Sequence, residues 1–349
     1  MTSFDAHQYS LDRPGQLIAA IPAVLGFVPE QSVVLVTIER GALGCVLRVD
    51  LSEDVLDSVD QLAEVAAANR PERAALFIVD AEGASCRMCQ ESHHELAELA
   101  AEALETHGVE LVSAHVVDGI AAGGRWYCAD GCGSEGLVDD PASSPVAAEA
   151  VMGGRRLYAS RAELLELITV TDAARVDRVR ERIGDLEQGL GRRTDAAARA
   201  SVEHAMATAT RFSTTGVIAE DDIARLACAL TNTMVRDTLY ALAVCSTSEQ
   251  AEALWALLAR ELPAPWRSEA LVLLAFSAYA RGDGTLAGVS LDAALEVDQG
   301  HRMAGMLDRA LRSGMRPDQI RELARTGYRL AKKLGVDLPP RRLFDRPAC

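Results

Sequence analysis

Val33-Val34-Leu35-Val36-Thr37-Ile38 is an unbroken run in which five of six residues are β-branched. With no polar residue alternating through it, the run reads as a strand buried on both faces. Residues 39–43, with Gly41, form a short turn, and 45–51 form the return strand of a hairpin. Two further strands are expected at 75–80 and 109–118. Helical patterns separate them at 55–68 and 91–107; in the second, Leu96, Leu99, Ala100 and Ala103 fall on one face. Residues 10–25 are a further helix, with Pro14 near its first turn. Strands that alternate with helices imply a sheet covered by helices, so residues 1–155 form an α/β domain.

The pattern then changes. Residues 119–145 carry Gly119, Gly123, Gly124, Gly131, Gly133, Gly136, Pro141 and Pro145, and read as one long loop. Residues 156–349 are helical. Thr171-Asp172 caps a helix over 173–190, and Thr194-Asp195 opens another to about Arg211. Residues 213–220 are a loop, and Asp221 or Asp222 caps a helix through Asp237 that continues towards Val244. Residues 301–313 and 317–334 supply further helices. Leu271, Leu274, Ala275, Ala278, Gly282, Ala287, Leu291, Ala294 and Leu295 have the spacing of a tetratricopeptide unit. The small residues let two antiparallel helices approach closely. The second half is therefore an all-α domain of stacked helical hairpins.

Composition limits the function classes. The chain has 349 residues, more than one ordinary core, and 49% hydrophobic residues. Its formal net charge of −16 repels phosphate backbones, so nucleic acid is not an expected partner. Residues 316–346 are a local exception with nine Arg or Lys, which reads as a solvated terminal helix and tail. No run of ~18 apolar residues exists, so no membrane span is expected. The first 14 residues lack a charged n-region followed by an apolar core, so no secretory signal is expected. These readings place the chain in the cytoplasm, where structural disulfides are rare.

The cysteines carry the most chemistry. Cys86-Arg87-Met88-Cys89 and Cys128-Ala129-Asp130-Gly131-Cys132 are two close pairs, 38 residues apart. Paired short spacings let each segment give two thiolates to one tetrahedral zinc, so Cys86, Cys89, Cys128 and Cys132 are the candidate ligands of a structural metal site. His93 or His94 could replace a missing ligand, but both read as an exposed first turn of their helix. Alternatively, Cys86 and Cys89 are a redox-labile pair at a helix N-terminus. Gly131-Cys132-Gly133-Ser134-Glu135-Gly136 matches G-x-G-x-x-G in letters, yet no helix follows it directly, so no dinucleotide site is expected. Asp118, Asp130, Asp139 and Asp140 could form an acidic metal site, although Asp140-Pro141 is foremost a turn signal.

Several stretches together resemble a known family. They are Ile21-Pro22-Ala23-Val24-Leu25-Gly26-Phe27-Val28-Pro29 with Ser32, then Arg48-Val49-Asp50-Leu51, then Asp139-Asp140-Pro141-Ala142-Ser143-Ser144-Pro145-Val146-Ala147-Ala148, and the hairpin over 270–298. In that order they resemble the actinobacterial family known as domain of unknown function 4192. The resemblance implies an actinobacterial, cytoplasmic protein of about this length. It lends no activity, and the Cys86 pair is not among the matching stretches. With no catalytic motif present, the sequence favours a protein-interaction or scaffold role over an enzyme. Its helical domain would bind an unidentified protein partner, and structural zinc would order the 119–145 loop. The alternative is a hydrolase or thiol-redox enzyme that uses the cysteines and aspartates of that loop.

Overall fold

The computed structural model describes residues 13–39, 42–152, 157–189 and 194–342. The start of the expected first helix, the turn at 40–41, the boundary at 155, Gly191 and Cys349 lie outside them. The chain divides into two compact units, one up to Leu164 and one from Leu165 to Arg346.

The first unit holds a six-stranded mixed sheet with helices. Its strands are β1 (Ser32–Glu39), β2 (Ala42–Asp50), β3 (Arg73–Val79), β4 (Glu110–Val117), β5 (Arg125–Cys128) and β6 (Glu135–Leu137), in the order β2-β1-β3-β4-β5-β6. Only β3 and β4 are parallel. Val33 to Thr37 are all buried, so the opening run is a strand covered on both faces. Thr37 sits where the β1–β2 register shifts, and its Oγ1 accepts the Cys45 N–H at 2.6 Å. That bond satisfies an amide the ladder leaves out.

Helix α1 (Pro14–Leu25) lies against Val36, Leu43 and Val46 on one sheet face. Helices α2 (Val59–Ala67) and α3 (Arg87–Thr106) cover the other. There Leu62, Ala66, Leu96, Ala100 and Leu104 close over Val33, Leu35, Leu76, Ile78 and Val116. Leu99, expected on the buried stripe, is 37% exposed; Leu104 takes its place. The β3–α3–β4 crossover makes the parallel pair, as such a connection requires.

Two differences from the sequence reading matter. Helix α3 starts at Arg87, not 91, so Cys86 is its N-cap. The 119–145 segment is not one loop, because it folds β5 and β6 into a hairpin on the sheet edge. Strands of four and three residues among glycines are too short for periodicity to register. Past β6, Asp139 N–H donates to the Gly15 carbonyl, and a Cβ on Gly15 would sit 2.3 Å from the Leu137 oxygen. Helix α4 (Pro145–Met152) follows, and α5 (Arg161–Glu166) contains the point where the chain passes to the second unit.

The second unit is helical throughout: α6 (Ala173–Gly189), α7 (Asp195–Thr215), α8 (Glu220–Leu230), α9 (Thr233–Leu239), α10 (Ser248–Glu261), α11 (Trp266–Arg281), α12 (Gly284–Val297), α13 (Arg302–Arg312) and α14 (Pro317–Leu334). Thr194 caps α7 by accepting the Ala197 N–H. Helix α7 runs into the loop expected at 213–220. The helix expected from 221 onwards breaks at Thr231-Asn232, where the Asn232 side chain caps α9 through the Met234 N–H at 3.0 Å. Ala275, Ala278, Ala287 and Ala294 are all fully buried, which is what lets α11 and α12 approach closely.

Charged groups are built into this helical core. Arg281 meets Glu252 at 2.8 Å and Asp283 at 3.2 Å. Glu269 accepts from Arg236 at 2.9 Å and faces His301 at 3.2 Å, while His301 Nδ1 caps α13 through the Ala304 N–H. Among the described residues no helix is long and apolar enough to cross a membrane.

Candidate functional site

Both cysteine pairs belong to the sheet unit, on elements that adjoin each other. Strand β3 ends at Val79, and the turn after it leads into α3. Asp80 governs that turn. Its Oδ1 accepts the Gly83 N–H at 2.8 Å and the Gln31 side chain at 3.3 Å, and its Oδ2 faces His93 Nε2 at 3.0 Å. Gly83 is required here, because a Cβ would lie 1.9 Å from Asp80 Oδ2. Burial alone would raise the Asp80 pKa, but the Gly83, His93 and Gln31 hydrogen bonds outweigh it and hold the carboxyl below its ordinary value.

The turn delivers Cys86 to the N-cap of α3 in extended conformation, with Cys89 one turn on. The amides of Met88 and Cys89 face the Cys86 sulfur without closing a capping hydrogen bond. The Cys86 pKa is lowered, first by a hydrogen bond from Cys89 and then by those amides. That same bond, followed by burial, raises Cys89. One sulfur is thus favoured as thiolate and its neighbour as thiol. Met88, between them, is 81% exposed.

His93 follows Cys89 by four residues, on the same face of α3. It is not exposed, as the sequence suggested, but 4% accessible. With Nε2–H donated to the Asp80 carboxylate, Nδ1 accepts the Tyr127 hydroxyl at 3.2 Å. Asp80, His93 and Tyr127 therefore form one chain from the end of β3, through α3, to β5. Burial, with the charges of Asp80, Cys89 and Cys86, pushes Tyr127 up to about 12. His94 is engaged too, with Nδ1 3.0 Å from the Ala129 carbonyl and Nε2 3.3 Å from Glu98.

The second pair lies on the β5–β6 hairpin. Gly131 and Gly133 take φ of 78° and 79°, the left-handed region a tight turn needs. The turn folds Cys128, Asp130 and Cys132 together, with one donor atom from each within 4.8 Å of the others. Asp130 Oδ1 accepts the Cys128 thiol at 2.7 Å and the Cys132 N–H at 2.9 Å. Burial and the bonds to Asp130 and Cys132 push Cys128 up to about 12. This Cys-Asp-Cys cluster could hold a metal ion. Cys86 and Cys89 stand outside it, so the four cysteines form two groups rather than one tetrahedron.

Directly opposite Cys128 across the β4–β5 ladder is His115. Its ring packs between Phe77 and Trp126, with centroids at 5.8 and 4.9 Å. Burial drives its pKa down to about 4 against the opposing pull of Asp130. Its Nδ1 is buried with no hydrogen-bond partner, an arrangement that costs about 1–3 kcal/mol.

Two of the three remaining aspartates build turns. Asp118 accepts the Arg125 N–H at 2.7 Å and Asp140 the Ala142 N–H at 2.9 Å, so both are turn-builders. Asp80, Tyr127 and His115 were missed in the sequence, and His93, named there as a substitute ligand, was read as exposed. The one signal for them was position: Asp80 directly follows a buried strand, and His93 lies one helical turn beyond Cys89.

No curated protein and no solved structure matches the chain. A family model does match, over residues 14–318, and its span takes in the whole sheet and most of the helical unit. On that match the chain belongs to the family described as Domain of unknown function (DUF4192).

Proposed function

We propose that the sheet unit is a thiol–disulfide exchange module whose reacting atoms are the Cys86 and Cys89 sulfurs. The observation that carries this reading is the placement of Cys86 at the α3 N-cap, with Cys89 one helical turn further on. The helix dipole and first-turn amides favour a negative sulfur there.

The oxidant is a disulfide on a partner molecule. The Cys86 thiolate attacks one sulfur of that disulfide, the partner's S–S bond breaks, and its other sulfur leaves as a thiolate. Cys89 then loses its proton and attacks the Cys86 sulfur of the mixed disulfide, and the second partner sulfur leaves. Two electrons pass to the partner, which ends as a dithiol after taking up two protons, and this chain ends with a Cys86–Cys89 disulfide. The bond to Cys86 first, then burial and the Cys86 charge, with Asp80 adding to them, raise Cys89 and so keep it protonated until the first step is complete. Exposed Met88 leaves an apolar contact beside the sulfurs for the partner.

The test is trapping. Cys89→Ser, incubated with glutathione disulfide, is expected to accumulate one mixed disulfide at Cys86 by mass spectrometry, whereas the unsubstituted chain resolves it. Equal labelling at Cys86 and at Cys228 would sink the reading.

A second reading is favoured by the Cys128, Asp130 and Cys132 cluster: the hairpin holds zinc in a structural role. Here the metal would replace the proton that Cys128 shares with Asp130. Zinc content of untagged protein tests it; a metal-free chain after zinc loading would exclude it.

A further inference from the structure

Three donors do not close a structural zinc shell, which takes four. Few side chains near the hairpin could supply a fourth. His93 has both ring nitrogens committed, to Asp80 and Tyr127, and His94 has both committed, to Ala129 and Glu98. His115 is different. It is 4% exposed, its Nδ1 has no hydrogen-bond partner, and it faces Cys128 in register across the β4–β5 ladder. Residues directly opposite in an antiparallel pair project from the same sheet face, with Cβ atoms about 4.5–5.5 Å apart. A buried imidazole with an unused nitrogen is costly unless something completes it.

We propose that His115 is the fourth donor of the hairpin site, so that the sheet unit takes a zinc-type divalent cation in a shell of Cys128, Asp130, Cys132 and His115. The proposal rests on the metal reading given above. The His115 nitrogens stand outside the 4.8 Å group, so ligation requires a side-chain rotation on β4 or β5. The consequence is structural. A cation held by the hairpin alone would order only its turn; one held also by His115 fastens β5 and β6 to the parallel core through β4.

The experiment uses the full, untagged chain with Cys86→Ser and Cys89→Ser, so that the other pair cannot bind metal. Cobalt(II) is titrated in, and the thiolate-to-cobalt charge-transfer band is followed. The expected result is one equivalent bound, lost in Cys128→Ser, and bound at least tenfold more weakly in His115→Gln with the thiolate band retained. Because His115→Gln could fail to fold, the histidine ring nitrogens of the chain without that substitution are also followed by NMR as cadmium is added. A metal-dependent change at His115 supports the proposal. Binding at Cys128 and Cys132 with His115 unmoved and His115→Gln as tight as its parent overturns the inference and leaves the metal reading standing. No binding at all overturns both.

Discussion

The sheet unit and the helical unit both bury charged and titratable side chains, but they use them differently. In the helical unit the main buried charges close on one another: Arg281 on Glu252 and Asp283, Arg236 and His301 on Glu269, while the buried Tyr240 hydroxyl has no hydrogen-bond partner and no cysteine pair beside it. These sets link helices. In the sheet unit the buried chain Asp80–His93–Tyr127 lies beside two cysteines, and His115 keeps a nitrogen unused. Charges that close on one another between helices read as architecture. Polar groups arranged beside sulfur, with capacity left over, read as chemistry.

Substitutions can break or sharpen that contrast, and the largest effect is expected at sulfur. Cys86→Ser should reduce disulfide exchange to the uncatalysed background. Its stability should stay close to that of the unsubstituted chain, because serine also caps a helix N-terminus. Exchange kinetics with a small disulfide, alongside urea unfolding, check both halves.

In the helical unit the order reverses. Arg281→Met leaves Glu252 without its partner, and should cost about 3 kcal/mol, the low end for a broken buried pair because these side chains keep 16% and 22% exposure. Thiol reactivity at Cys86 should be unchanged. A loss of both together would mean that the two units do not divide the work as described.

Asp80 gives an intermediate effect with a pH signature. Its folded pKa is depressed, so its stabilisation is fully present above the unfolded carboxyl value near 3.9. That stabilisation is lost as pH falls through the folded pKa. Asp80→Asn should therefore lose about 1–2 kcal/mol at neutral pH and flatten the acid limb of the stability curve. An unchanged acid limb would count against the Gly83 and His93 hydrogen bonds as the cause.

A further contrast separates two leucines on α3. Leu96, 2% exposed, should cost about 2–4 kcal/mol as Leu96→Ala, whereas Leu99, 37% exposed, should cost under about 1 kcal/mol. Equal costs would put the buried stripe back where the sequence alone drew it.

That pair shows how far the sequence could be read. The run at Val33 declared a two-sided strand because six apolar or β-branched residues leave little alternative. The Thr194 cap and the small residues of α11 and α12 were equally legible, since their signals are local. What failed to show depended on distant segments. Nothing near His93 announces that Asp80 and Tyr127 will enclose it, so it read as an exposed helix turn. Strands β5 and β6 are short and glycine-rich, and their pairing comes from the edge of β4, so they read as loop. Cys86-x2-Cys89 and Cys128-x3-Cys132 were visible as pairs. That they fold as two groups was set by where α3 begins and how the hairpin turns.

The most direct test of the thiol-exchange account is the oxidation state of each cysteine across a series of glutathione redox buffers, read by differential alkylation and mass spectrometry. The account expects Cys86 and Cys89 to pass together between dithiol and disulfide in a single two-electron transition, with Cys228 and Cys245 remaining free thiols throughout. Cys86 and Cys89 that stay independently alkylatable in every buffer, or that oxidise no more readily than Cys228, would contradict it.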